Sequence, residues 1–234
     1  MLTRFQSISM MLICIVALNT SCTKDSKLLH IKKTNDFEVS GKGTAPEWNS
    51  TAWFSLTKRK GSVTYLTKCK MLYSETGVYC LFENEDNKIS ATMKNDFDDI
   101  YNEDVVEVFF WTDESSPIYF EYELSPNNVE LPILVPNYDG KFFGWRPWHY
   151  EGDKKTRRVA TIHKKGEQVL GWTAEFFIPF KLLNPMQNVP AVPGTRWRAN
   201  FYRIDYDNGS SQWSWRPTRK NFHDYKSFGT IVFD

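Results

Sequence analysis

The sequence predicts an all-β fold, a single jelly-roll-like β-sandwich of antiparallel sheets. Three observations carry that expectation. Short runs rich in β-branched and aromatic residues recur along the body, most clearly at 104–111 (DVVEVFFW). Turn residues separate them at short intervals. Helical periodicity is nearly absent, with room for one turn at 181–183, between Ile178-Pro179-Phe180 and Asn184-Pro185. No internal repeat and no Pro/Gly/Ser linker divides the body, so the pattern describes one domain.

The chain opens differently. Arg4 precedes an apolar run at 10–18 (MMLICIVAL), and Asn19, Thr20, Ser21 and Cys22 follow. A charged start, a short apolar core and a small-residue exit make a secretion signal. The run is shorter than the ~20 apolar residues a membrane span needs. Leu18-Asn19-Thr20-Ser21-Cys22 resembles a loose lipoprotein box, which implies lipidation at Cys22. The expectation is an exported protein, anchored by lipid to a bacterial outer membrane on its periplasmic or cell-surface face. Residues 23–35 read as a polar tether, and 36–234 as the folded body.

Within the body, 63–73 and 78–83 form a hairpin around Ser74-Glu75-Thr76-Gly77. A strand at 119–124 (YFEYEL) follows 104–111 after Ser115-Ser116-Pro117. A second hairpin joins 157–164 to 169–178 around Lys165-Gly166-Glu167. Residues 196–205 are long and alternating, and 228–233 (FGTIVF) closes the chain. Strand side chains alternate between faces. Trp197, Ala199 and Phe201 therefore share a core face, while Arg198, Asn200 and Tyr202 share a polar one. Glu121 and Glu123 lie opposite Phe120, Tyr122 and Leu124. One covered and one polar face fit a sandwich, whose polar face or flanking loops could hold a ligand. Cys69 and Cys80 lie in the two strands of the first hairpin. Export permits a disulfide between them; two buried free thiols are the alternative.

Composition narrows function. A formal net charge of +1 argues against a nucleic-acid binder. Nine tryptophans exceed what a core of this size needs, so an exposed aromatic surface is expected. His30, His149, His163 and His223 show no metal-ligand spacing, and there is neither a phosphate loop nor a nucleophile elbow.

The order of motifs is informative. Glu47-Trp48 and Ala52-Trp53 come first, then Leu72-Tyr73, Gly77-Val78-Tyr79 and Glu83-Asn84-Glu85-Asp86. Asn102-Glu103-Asp104-Val105-Val106-Glu107-Val108-Phe109, Tyr119-Phe120-Glu121 and Trp172-Thr173-Ala174-Glu175 with Ile178-Pro179 follow. Gly194-Thr195-Arg196-Trp197-Arg198-Ala199-Asn200 and Phe222-His223 with Ser227-Phe228-Gly229 complete the series. From about 36 to 234 this order resembles the family 9 carbohydrate-binding modules and the family-9-like bacterial lipoproteins. The resemblance implies a β-sandwich that binds sugars rather than cleaving them, often with structural calcium. It also implies a sugar end held between two aromatic rings. One ring comes from the loop before the Asp-x-Val-Glu strand, where Phe97 and Tyr101 are available. The other comes from just before the final Phe-Gly strand, where Phe222 stands.

Further candidates come from the residues themselves. In Gly144-Trp145-Arg146-Pro147-Trp148-His149-Tyr150, rings for stacking stand beside a charged hydrogen-bonding fork, an arrangement suited to sugars. Trp213 and Trp215 share a strand face, either as platform or as core. Glu103 and Arg203 supply flanking charge, Arg203 with Asp205 as its ion-pair alternative. Glu83, Glu85, Asp86, Asp96, Asp98, Asp99, Glu103 and Asp104 offer oxygens for calcium, or form solvated loops. Glu121 and Glu123 have a separation many i, i+2 acid pairs share, and carry little sign of catalysis. Glu107 and Glu175 read as hydrogen-bonded structural acids. The resulting expectation is non-catalytic carbohydrate binding by an exported lipoprotein serving polysaccharide capture. A glycoside-active enzyme and a protein scaffold of a glycan-uptake complex are the alternatives.

Overall fold

The computed structural model describes residues 28–184 and 186–234. The signal, Cys22 and the first part of the tether lie outside the described residues. In chain order the strands begin with β1 (Leu28–Lys33), β2 (Phe54–Ser55), β3 (Thr57–Lys60), β4 (Thr67–Tyr73) and β5 (Gly77–Glu85). The middle of the chain gives β6 (Val105–Trp111), β7 (Ile118–Leu124), β8 (Glu130–Tyr138), β9 (Lys141–Phe142) and β10 (Arg146–Pro147). The last are β11 (Arg157–Lys165), β12 (Gln168–Pro179), β13 (Arg196–Asp205), β14 (Ser211–Ser214) and β15 (Gly229–Phe233). Among the described residues the one α-helical turn, α1, is Phe180–Leu183, where the sequence left room for it.

The strands form two layers. The first runs β10-β8-β7-β6-β13-β15-β1, with β14 paired to β13 and β3 paired to β14. The second runs β1-β4-β5-β12-β11. Pairing is antiparallel except at β1, which joins both layers in parallel: 28–31 pair with β15, and Lys32 and Lys33 pair with β4. Residues 28–33 are thus a strand of the fold rather than tether. Ile31 is buried and Leu29 packs on the core, so this short segment has an apolar side to dock despite its lysines.

Between the layers lie Phe82, Val108, Phe110, Phe120, Tyr122, Phe176, Trp197 and Phe201, as alternation predicts. The other face of the first layer is not bare. Loops 89–104 and 215–228 fold across it, and Phe109, Tyr119, Ile133 and Tyr202 form a second apolar cluster with Ile100, Phe222, Tyr225 and Phe228. Asn200 and Tyr202, expected on an open polar face, are consequently buried.

The hairpin register settles the cysteines. Cys69 faces Phe82, and Cys80 faces Met71, so the two sulfurs are diagonal neighbours. Diagonal positions stand about 7–8 Å apart, beyond the ~3.5–4.5 Å between Cβ atoms that a disulfide needs. Both are buried free thiols, and burial pushes both thiol pKa values up.

Candidate functional site

Among the loops that cover the first layer, a cavity of about 380 Å³ remains open to the surface. Its floor is the outward side of three central strands: Glu107 and Phe109 from β6, Glu121 and Glu123 from β7, and Ile204 from β13. Aromatic groups rise around it. Tyr101 meets Trp145 edge-on, with ring centroids 6.2 Å apart. Phe142 stacks on His223 at 4.1 Å, and Phe222 stacks on Tyr202 at 4.0 Å. Asn102, Gln212 and Asn221 add amide groups. Apolar walls with a few placed polar groups, at this size, describe a small-ligand site.

Each wall residue is fixed by its own neighbourhood. Tyr101 lies in a tight turn at Ile100–Asn102 whose Ile100 is fully buried. Phe222 is nine-tenths buried and locked against Tyr202, whose hydroxyl donates to the Phe222 carbonyl at 2.9 Å. His223 bonds the Tyr119 hydroxyl at 2.7 Å, and burial pushes its pKa down to about 4, so the ring is neutral. The floor acids are shifted the other way. Glu107 and Glu121 lie well above the usual carboxylate range and Glu123 is pushed up to about 8, in each case first through burial. For Glu107 and Glu121 the neighbouring carboxyls add to the rise; for Glu123 a hydrogen bond from Glu121 opposes it.

The family described as carbohydrate family 9 binding domain-like matches residues 39–234. The chain belongs to that family. An Arthroderma benhamiae (strain ATCC MYA-4681 / CBS 112371) protein named "Extracellular protein" is 28% identical over 202 residues, spanning 80% of this chain and 86% of its own. Among solved structures, a Bacteroides uniformis ATCC 8492 protein whose name proposes carbohydrate binding superposes with a TM-score of 0.73 at 16% identity. That match covers 89% of this chain and 99% of the other. A family 9 carbohydrate-binding module from Caldicellulosiruptor kristjanssonii, solved with glucose and with cellotriose, gives a TM-score of 0.66 at 15% identity. It covers 89% of this chain and 96% or 94% of those.

In this family 9 domain, three of the residues singled out from sequence line the cavity: Tyr101, Trp145 and Phe222. The others stand elsewhere. Phe97 stacks on His149 at 4.1 Å, away from the cavity lining. Burial alone would raise the pKa of Glu103, but bonds from Thr92 and Met93 outweigh it and hold the carboxyl low, so it ties down its own loop. Arg146 is exposed and donates to the Trp145 carbonyl. Trp148 donates from its indole to the Leu182 carbonyl at 2.9 Å and packs on the main core. Trp213 is 2% exposed, and the guanidinium of Arg203 sits over its ring at 5.0 Å. Arg203 itself is fully buried between Asp86 (3.0 Å) and Asp205 (2.7 Å). Trp215 packs against Phe54 and Phe201. These side chains are occupied by the fold and do not reach the cavity.

The acidic loops converge at one place. Oxygens of Asp86, Asp205 and Asp207 all lie within 4.8 Å of one another. Arg203 pairs with Asp86 and Asp205, and the Tyr65 hydroxyl donates to Asp207 at 2.8 Å; burial pushes Asp86 up to about 8 and nearby Asp104 to about 6. A trio short of positive charge fits a calcium ion in its donor chemistry. The other acids of the sequence expectation are committed differently: Asp96 pairs with Arg158 at 2.7 Å, and Asp98 caps Asn95.

Glu107 differs from its expected role, since it lines the cavity floor. Glu175 keeps that role. It is fully buried and accepts from the Ser40, Gly41 and Gly43 amides, the Ser40 hydroxyl and the Trp48 indole.

Proposed function

We propose that this domain binds carbohydrate without cleaving it, at the cavity walled by Tyr101, Trp145, Phe142 and Phe222. The supporting observation is the pairing of aromatic faces with inward-facing amides and carboxyls on the outer side of the first layer. Sugar rings present C–H faces for the former and hydroxyls for the latter. The glucose and cellotriose complexes of the Caldicellulosiruptor module support the same ligand class. Binding is favoured over hydrolysis because a glycosidase needs one protonated acid facing one ionised carboxylate. The three floor acids are all shifted towards the protonated form. The extracellular relative supports export, and with the leader of this chain we propose a lipid anchor at Cys22 and a role in polysaccharide capture.

A glycan panel with the immobilised protein tests the reading. Retention of soluble oligosaccharides is expected, without release of reducing ends. Trp145→Ala removes a part-buried ring of the cavity wall and should weaken retention about tenfold, the scale of an interface anchor. Failure to retain any glycan, or steady release of reducing ends, overturns it.

A further inference from the structure

The cavity floor is unusual in its charge. Glu107 and Glu123 face each other directly across β6 and β7, and Glu121 is on the same side two residues away. All three side chains are nearly fully buried. Like charges placed opposite one another in a sheet destabilise it, and a buried carboxylate normally has a cationic partner. Here, among the described residues, no lysine or arginine lines the cavity. Arg59 stacks on Phe222 but spends its guanidinium on Gln212 and on the Thr218 and Lys220 carbonyls. His223 Nδ1 stands 3.7 Å from Glu121 and is already bonded to Tyr119. One carboxyl oxygen of Glu121 and one of Glu123 have no hydrogen-bond partner.

The unfilled oxygens and the walls ask for the same thing. Rings of Tyr101, Phe142, Trp145, Tyr206 and Phe222 line the space above the acids, and aromatic faces attract cations. A bare metal ion is a poor occupant. The only described trio with oxygens all within 4.8 Å is Asp86, Asp205 and Asp207, at a different place. An organic ammonium suits an aromatic cup with a carboxyl floor.

We propose that the cavity selects a cationic sugar, one bearing a protonated amine in place of a hydroxyl, with the ammonium set over Glu121 and Glu123. This rests on the carbohydrate-binding reading and names its ligand class. Binding displaces a proton from the acid cluster, because an ammonium takes over the neutralising role of that proton. The groups that face the cluster are Tyr119 on β7, Tyr202 on β13, Asp99 and Tyr101 before β6, Tyr206, and His223. The tyrosines and the histidine are neutral, and Asp99 adds negative charge, so none supplies the missing cation.

The test uses three β-1,4-linked tetrasaccharides that differ only at the second carbon of each ring: cellotetraose, chitosan tetraose and chitin tetraose. Calorimetric titration of the protein near pH 6, in two buffers of different ionisation enthalpy, reads affinity and proton release together. Chitosan tetraose is expected to bind at least tenfold more tightly than cellotetraose, releasing about one proton, while the neutral sugars release none. Glu121→Gln and Glu123→Gln should each bring chitosan tetraose down towards cellotetraose, with melting temperature confirming that both variants fold. Cellotetraose binding as tightly as chitosan tetraose would overturn the amine preference and leave the carbohydrate reading standing. Undiminished chitosan binding in both variants would also overturn it. No binding of any tetrasaccharide, together with an empty glycan panel, overturns both.

Discussion

Replacing Glu175 by alanine tests how the amino-terminal segment is held. In the structure one carboxylate oxygen, Oε2, accepts from the Ser40, Gly41 and Gly43 amides and from the Ser40 hydroxyl; Oε1 accepts from the Trp48 indole at 2.8 Å. Gly41 and Gly43 have φ of +75° and +61°, a left-handed backbone that turns their amides towards one point and that glycine adopts without strain. A carboxylate at that point is what makes the turn affordable. Alanine leaves five donors without an acceptor. Water can reach the part-buried Ser40 and Gly43 groups, but the Gly41 amide and the Trp48 indole bonds are buried. Each unmet buried donor costs about 1–3 kcal/mol, so the loss is about 2–6 kcal/mol. For a domain near 200 residues that lowers the melting temperature by about 5–20 °C. Glu175→Gln keeps a neutral acceptor for the loop and turns its NH2 towards the indole, so its loss should be smaller. Urea unfolding with linear extrapolation measures both. A loss under about 1 kcal/mol for the alanine variant would refute the claim that this carboxylate anchors residues 40–48.

Stability should fall as pH rises from about 5 to 8.5. Asp86, Asp104 and Glu123 have folded pKa values of about 8, 6 and 8, above their unfolded values, so the folded state binds more protons across that window and the benefit is lost as pH rises through it. His223 pulls the other way only between about 4 and 6.5, and a higher urea midpoint at pH 8.5 than at 5 would refute the balance. Calcium at millimolar concentration should raise the melting temperature and Asp207→Asn should abolish the rise; an unchanged melting curve removes the proposed ion from the Asp86–Asp205–Asp207 trio. Cys69 and Cys80 should resist a thiol reagent in the native protein and react on unfolding, and a mapped Cys69–Cys80 disulfide peptide would contradict the register described.

Strands whose faces differ in polarity were legible in the sequence. β6, β7 and β13 were read close to their bounds because alternation and β-branched content agree there. β8 is not legible in that way, because Pro132 and Pro136 interrupt its strand pattern. They are tolerated because β8 lies near the layer edge, where Trp148 and Phe143 donate to their carbonyls and no bond from a proline nitrogen is required. β1 reads as tether because His30, Lys32 and Lys33 mask its two docking side chains, Leu29 and Ile31. The site was harder. Period-two alternation told which face Glu121 and Glu123 share, but not that aperiodic loops 89–104 and 215–228 would roof that face and make it a cavity. Tryptophan counting misled for a related reason. Trp213 buries its ring and Trp148 packs part-buried on the core, and nothing in local sequence separates a ring facing a core from one facing a ligand. Tyr101 and Phe222, singled out through motif order, do line the cavity.

The position of β1 bears on mechanics. It is clamped between β15 and β4, and the far end of the chain closes over it: the Asp234 amide donates to the Ile31 carbonyl, and the Tyr73 hydroxyl bonds the Asp234 carbonyl. A pull transmitted through the residues before 28 therefore loads a strand along its length, with the bonds to β15 and β4 resisting in shear together rather than parting one at a time. A load on this one strand would reach both layers of the sandwich at once.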